Sequence, residues 1–351
     1  MNKFLEEIND QPGVIESVLS FYGSKTGENL LRRVRRIVEM HPDIPFIFTG
    51  MGSSFFVAHA ASTLFNDLGF NATAVNTGEL IHYNRSILTR RIILICISQS
   101  GESYEIKQIF PGLSANVTCT GIVNEEGSTL SLKSEITLPA KAGKEEMTST
   151  KTYVATSLVS FILGWYLSGK WDEDRKLMIR NLAKSFKILL SGHDSVIREI
   201  LNFLDNNLQT LQIIARGPSF STASQSALMF REALHISASG NLGGEFRHGP
   251  MEMVTEGFNA IVFSSLGNTL VQTYRMASDI ARYGGRVLLI TNDKNSENQD
   301  NVMKILIDEP DEYLFSVAGV LPVQLYIDMY AKMKGFEAGS FSRGSKVTEI
   351  E

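Results

Sequence analysis

The chain has 351 residues, a net charge of -5, and 43% hydrophobic and 20% charged side chains. At about 100–200 residues per domain the length predicts two domains, with apolar side chains enough for two cores. The acidic balance argues against a nucleic-acid binder, which needs a basic face to neutralise phosphates. The densest basic run, Arg32-Arg33 and Arg35-Arg36, sits in a polar helix-like stretch and reads as a solvated face.

The start, MNKFLEEIND, lacks the apolar core of a signal peptide, so a cytoplasmic protein is expected. Ile44–Thr49 is the first strand candidate; Gly50-Met51-Gly52-Ser53-Ser54 and an Ala-rich helix follow it. Arg91–Ser98 (RIILICIS) is continuously apolar, as a buried parallel strand should be. Val117–Val123 and Glu135–Leu138 are the next two strands. Cys96 and Cys119 lie inside these apolar runs and read as buried thiols, not as a disulfide framework. Thr152–Gly169 carries no charge but several Ser and Thr, and is read as a buried helix and not a membrane span. A polar helix over Glu173–Leu190 closes the first half.

The pattern then restarts. Leu211–Arg216 is a strand, Gly217-Pro218-Ser219 a turn and Ser221–Ser237 a helix, with further strands at Asn259–Ser264, Arg286–Thr291 and Lys304–Ile307. Strands alternating with helices imply parallel sheets with right-handed crossovers. Gly52-Ser53-Ser54-Phe55 is matched by Gly217-Pro218-Ser219-Phe220, and Ser98-Gln99-Ser100-Gly101 by Ser264-Ser265-Leu266-Gly267. Two junctions in the same order at nearly the same offset predict a duplicated domain, with a boundary in Ser191–Asp205 and domains over 1–195 and 196–351.

Ser98-Gln99-Ser100-Gly101-Glu102-Ser103 lies where a buried strand gives way to a helix, the end of an open α/β sheet at which ligands bind. Three hydroxyls and an amide there can hold a phosphate without a Lys or Arg; simple capping of the helix by Ser100 or Ser103 is the alternative. Ser53 and Ser54 can converge on the same crevice, and Ser149-Thr150-Lys151 can form a third wall. Leu266 replaces Ser100 in the second copy, so one phosphate site is expected, in the first half. No Walker A or GxGxxG pattern occurs, and His and Cys never cluster at zinc spacing, so neither a cofactor nor a metal is expected.

GMGSS, ISQSGES, AGKEEMTSTKTY and GGEFRHGPMEMV together resemble the tandem sugar-isomerase (SIS) family. Within it the chain is similar to the isomerase half of glutamine–fructose-6-phosphate aminotransferase, SIS-type glucosamine-6-phosphate deaminases and fructosamine-6-phosphate deglycases. The resemblance implies two tandem SIS domains, each a flavodoxin-like three-layer sandwich. It implies that Ser98, Gln99, Ser100 and Ser103 hold a sugar phosphate, aided by Gly52, Ser53, Ser54, Met147 and Ser149. By the same resemblance Glu232 is the general base, His248 opens the sugar ring, Lys346 forms an imine, and the histidine acts in a neighbouring subunit of a homodimer.

This sequence departs from the synthase pattern in two ways. Met229 stands where the synthase has a Lys three residues before its catalytic Glu, and the chain enters the sugar half at once, so no glutamine hydrolysis is expected. The deglycases share GEFRHGP but lack the terminal Lys that this chain keeps as Lys346. On residue types alone, Glu232 in MFREALHI is an ordinary solvated Glu, and Lys346 sits in a Gly/Ser-rich tail. A His titrating near neutrality suits ring opening, and a partly buried Glu suits C1–C2 proton transfer. The reading that follows is C–N cleavage of a phosphorylated amino sugar or fructosamine. Aldose–ketose isomerisation and a non-catalytic phosphosugar sensor are the alternatives.

Overall fold

The computed structural model describes residues 2–205, 207–295, 299–339 and 346–348. After the helices α1 (Lys3–Asn9), α2 (Gln11–Tyr22) and α3 (Lys25–Met40) the chain enters β1 (Phe46–Gly50), α4 (Ser53–Asp67), β2 (Ala72–Asn76) and α5 (Thr77–His82). There follow β3 (Ile92–Ser98), α6 (Tyr104–Ile109), β4 (Val117–Val123), α7 (Thr129–Lys133), β5 (Ile136–Pro139) and α8 (Lys151–Leu167). These five strands form one parallel sheet in the order β2-β1-β3-β4-β5. That is the flavodoxin-like order, in which the direction of winding switches between β1 and β3.

After α9 (Glu173–Ser191) and α10 (His193–Phe203) come β6 (Thr210–Ala215), α11 (Ser219–Leu234), β7 (Ser237–Leu242) and α12 (Gly243–Arg247). The chain continues through β8 (Asn259–Ser264), α13 (Leu270–Arg282), β9 (Arg286–Thr291), β10 (Val302–Leu306), α14 (Glu312–Ala318) and α15 (Val320–Lys334). The second sheet is also fully parallel, in the order β10-β9-β8-β6-β7. Renumbered from its own first strand, that is the same winding, with the switch between β6 and β8. Both sheets bear the expected α/β fold.

The interior strands explain why. In β3 every residue is buried and in β8 every residue is buried, so each reads as an unbroken apolar run. Around the first sheet Leu80, Ile92, Leu94, Ile106, Ile109 and Leu130 pack as one core cluster; Ile214, Phe246, Val262, Ile280, Val287 and Leu289 do so around the second. Cys96 and Cys119 are buried and unbridged, with sulfurs 4.0 Å apart on neighbouring strands. The uncharged stretch at 152–169 is α8, buried from Lys151 to Tyr166. Glu312–Lys334 is apolar and long enough to cross a membrane by length and composition, yet 94% of its 18-residue apolar window is buried inside the protein.

Two strands escaped the sequence reading, β2 (ATAVN) and β7 (SASGNL). Both are edge strands beside the first strand of their sheet, short of large apolar side chains and only partly buried, so neither carries an apolar run. The predicted helix over Ser221–Ser237 also ends earlier. α11 stops at Leu234, His235 takes a left-handed conformation (φ 55°), and Ser237 already belongs to β7.

By packing, the chain divides within α9, at Ala183/Lys184, and exchanges its ends relative to the 1–195 and 196–351 partition. Residues up to Asn9 belong with the second sheet, where Asn2 Nδ2 donates to Asp328 Oδ1 of α15 at 2.8 Å. The described tail residues Lys346–Thr348 belong with the first sheet.

Candidate functional site

The first sheet carries the candidate ligand loop. Its winding switches between β1 and β3, so the loops that leave these two strands flank a crevice at their carboxyl ends. Gly52 is the N-cap of α4, which opens with Ser53 and Ser54; Ser98 ends β3. Ser98 Oγ accepts the Gly101 N–H at 3.0 Å, and Ser100 Oγ accepts the Glu102 N–H at 3.2 Å. Each hydroxyl thus braces the loop with an oxygen lone pair while its own O–H can still donate. Ser103 occupies the N-cap of α6 but makes no side-chain cap hydrogen bond. The capping alternative therefore fails for Ser103. Gln99 turns outward, donating from Nε2 to Glu125 Oε1 at 3.2 Å.

Gly101 holds the loop's shape. Its φ is +66°, and a Cβ there would lie 2.2 Å from Ser128 Oγ, so no other residue fits without moving Ser128. The carboxylate of Glu102 points away toward α7, where it accepts from the Thr129 backbone N–H and, at 3.0 Å, from Thr129 Oγ1; Lys107 pairs with it at 2.9 Å. The Thr129 N–H, followed by Lys107, holds the Glu102 carboxyl below its ordinary pKa.

A second constellation forms ahead of α8, around a residue the sequence reading did not single out. The Glu145 side chain has 0% exposure. Its Oε1 accepts from Thr150 N (2.9 Å), Thr150 Oγ1 (3.3 Å) and Thr152 N (3.0 Å). Its Oε2 accepts from Thr152 Oγ1 at 2.6 Å and from Lys346 Nζ at 2.6 Å. A buried carboxylate persists only when paired and hydrogen-bonded, and these five donors meet that need. Lys346 Nζ also donates to the Met147 carbonyl, and Ser149 Oγ lies 2.9 Å from Thr152 Oγ1. Glu145, Met147, Ser149 and Lys346 are thus gathered at one helix start. Tyr104, the residue after Ser103, donates its N–H to the Thr348 carbonyl at 3.1 Å, which ties the same tail to the start of α6. Lys151 takes a structural part: it is buried and ion-paired with Asp10 at 2.9 Å. The signal that could have revealed Glu145 is a Glu just before a Thr/Ser-rich helix start, a capping pattern.

Glu232 and His248 lie in the unit of the second sheet, and the structure does not bring them together. Glu232 is in the last turn of α11, beside the beginning of β7, and is partly buried. His248 follows α12, beyond the far end of β7, and is exposed. The six residues of β7 separate the two edges by about 20 Å. Met229, one turn before Glu232, is fully buried in the core, a place where a Lys would be costly.

The SIS domain family profile matches residues 46–163 and 206–331, well over half of the chain. The chain belongs to the SIS domain family. Each SIS match covers one five-stranded sheet, and Lys346 lies outside both. Among similar sequences, the glutamine–fructose-6-phosphate aminotransferase [isomerizing] of Streptococcus mutans is 25% identical over 99% of this chain, and that of Bartonella quintana 24% identical over 99%. The chain spans 58% of the length of these relatives. Among solved structures, the C-terminal domain of glucosamine-fructose-6-phosphate aminotransferase from Francisella tularensis superposes with a TM-score of 0.82 at 19% identity, covering 97% of this chain and 98% of that one. Glucosamine-6-phosphate deaminase from Thermotoga maritima gives 0.77 at 19% identity (99% and 100% covered). Tagatose-6-phosphate ketose/aldose isomerase from Escherichia coli gives 0.79 at 19% (95% and 93%). At these identities the structural likeness establishes the SIS fold.

Proposed function

We infer that this SIS protein is a phosphosugar enzyme that moves a proton between C1 and C2 of a 6-phosphorylated amino sugar or fructosamine and so releases the amine. The observation that carries the reading is the loop Ser98–Ser103. It stands at the winding switch of its sheet, with the Ser98 and Ser100 hydroxyls bracing its backbone and Ser103 unused as a cap. Ser98, Ser100 and Ser103 hold the phosphate, with Ser53 and Ser54 from the neighbouring strand's end. Lys346, held by Glu145, offers an amine. Further support comes from the names of relatives and structural neighbours that concern 6-phosphorylated sugars.

The chemistry balances without a cofactor. For a 2-amino aldose, Glu232 takes the C2 proton and C1 receives one; C2 becomes an imine, and water then adds and expels the amine. For a 1-amino ketose the proton runs from C1 to C2, the imine forms at C1, and water again releases the amine. His248 opens the ring by moving the proton of the hemiacetal hydroxyl. The SIS resemblance supplies His248 from a second copy, which makes the active form a homodimer, and the span of β7 between Glu232 and His248 in one chain agrees with that reading. Met229 supports amine release over synthesis, since the buried position would make the charged Lys of the synthase resemblance costly.

The test is a panel of phosphosugars, 2-amino-sugar phosphates and fructosamine phosphates, followed for amine release, ketose–aldose interconversion and deuterium uptake at C1 and C2 from D₂O. Amine release with uptake is expected. Uptake without amine release makes the protein a plain isomerase. Neither, on any substrate, leaves a phosphosugar sensor and ends the enzymatic reading. Turnover by a monomer in light scattering removes the shared-histidine arrangement.

A further inference from the structure

The second sheet repeats the winding of the first, so the loops after β6 and β8 are the counterparts of those after β1 and β3. The counterpart of Gly101 is Gly267, which also has a positive φ, +152°. What lies against it differs. A Cβ on Gly267 would meet the Glu312 carboxylate, at 2.6 Å from Oε2 and 3.1 Å from Oε1; one on Gly217, in the other loop, would come 3.7 Å from Oε1. Ser265 Oγ, buried, donates to Glu312 Oε1 at 3.2 Å. Glu312 therefore reaches from α14 into the crevice between the two loops and places an anion on the loop glycine and a loop hydroxyl. In the first unit the loop's own carboxylate, Glu102, is turned away to Thr129 and Lys107. The β8 loop is further fixed by its Leu266 N–H, which donates to Asn292 Oδ1 at 2.6 Å.

We propose that the second crevice is a self-occupied anion site: the Glu312 carboxylate stands where a ligand phosphate stands in the first unit, and it restricts each chain to one phosphosugar. The inference rests on the reading of Ser98–Ser103 as the phosphate loop. A carboxylate offers the acceptor oxygens that a phosphate monoester would bring, and its negative charge repels a second anion. The closed crevice also accounts for Leu266. With no ligand to receive, the position held by the Ser100 hydroxyl in the first loop carries an apolar side chain that is 40% exposed.

The test uses the whole protein and inorganic phosphate, read at the backbone amides of Gly101 and Gly267 by NMR. In the natural protein phosphate should shift Gly101 and leave Gly267 unmoved. In Glu312→Ala, which vacates the crevice, both amides should shift, with a second, weaker binding event in calorimetry. Glu312→Gln fills the same space and should stay closed. Should the alanine variant fail to fold, Glu312→Ser carries the same expectation. A Gly267 response in the natural protein, or silence at Gly267 in a folded Glu312→Ala or Glu312→Ser, overturns self-occupation. A silent Gly101 instead overturns the phosphate reading of the first loop, whatever Gly267 does.

Discussion

The two units wind their strands identically, yet their switch-point crevices have opposite contents. In the first, serine hydroxyls brace a loop whose carboxylate faces away, and a buried Glu145 holds a distant lysine at the start of α8. In the second, the carboxylate of Glu312 enters the crevice, and α14 is capped by its own Asp311, which accepts from Tyr313 N and Leu314 N at 3.0 Å each. A shared backbone therefore does not carry a shared site. A few side chains decide whether a carboxylate faces into the crevice or away from it.

The largest expected effect falls on the second unit's proposed base. Glu232→Gln should bind a phosphosugar normally while proton exchange falls about 10²–10⁴-fold, because an amide cannot accept the proton. Deuterium uptake from D₂O measures it, and uptake at the normal rate would place the base elsewhere.

Next is the contrast between the two helix starts. Glu145→Ala strands the Thr150 and Thr152 N–H groups and frees Lys346, and should cost of order 3 kcal/mol in chemical denaturation. Its tail should also become sensitive to protease. Asp311→Ala removes only a local cap and should cost about 1 kcal/mol, with the tail still protected. Equal losses in the two variants would mean that the Lys346 contact adds nothing.

The loops themselves give a smaller contrast. Ser100→Ala should weaken phosphosugar binding by about 1–3 kcal/mol in calorimetry, the cost of losing a hydrogen bond to a charged acceptor. Ser265→Ala, in the closed crevice, should leave that affinity unchanged. The reverse result would exchange the roles of the two units.

The smallest effect is a pH dependence. Glu102 has its pKa lowered by the Thr129 N–H and then by Lys107, so its clamp on the loop is present above the ordinary carboxylate pKa of about 4.3 and is lost as pH falls through the lowered value. Hydrogen exchange at the Thr129 amide, corrected for its intrinsic rate, should lose protection below that range. Glu102→Gln should remove the pH dependence, and a variant that keeps it would assign the titration to another group.

The duplication and the interior strands were legible in the sequence. The ranges predicted for β4, β8 and β9 match the structure to the residue, and Ser98 was placed correctly at the end of β3. Burial on both faces writes a continuous apolar run into such strands, and that signal is local. The edge strands β2 and β7 carry no such run, because one side of each faces no neighbour in the sheet. The candidate loop was also legible, because hydroxyls next to a buried strand and a glycine form a local pattern. Whether Ser103 caps its helix depends on hydroxyl geometry that no pattern records.

What only the tertiary structure decided are pairings between distant positions. Lys346 and Glu145 are 201 residues apart, Ser265 and Glu312 are 47 apart, and the first helix belongs with the last. Each joins a polar group to a partner brought near only by the packing of whole sheets, and a polar residue looks alike in sequence whether its partner is water or a buried carboxylate. Apolar burial repeats along the chain and can be read from one stretch. Polar satisfaction is settled contact by contact in space, and it determined here that Glu312 lies against Gly267 and Ser265 while Glu102 turns to Thr129 and Lys107.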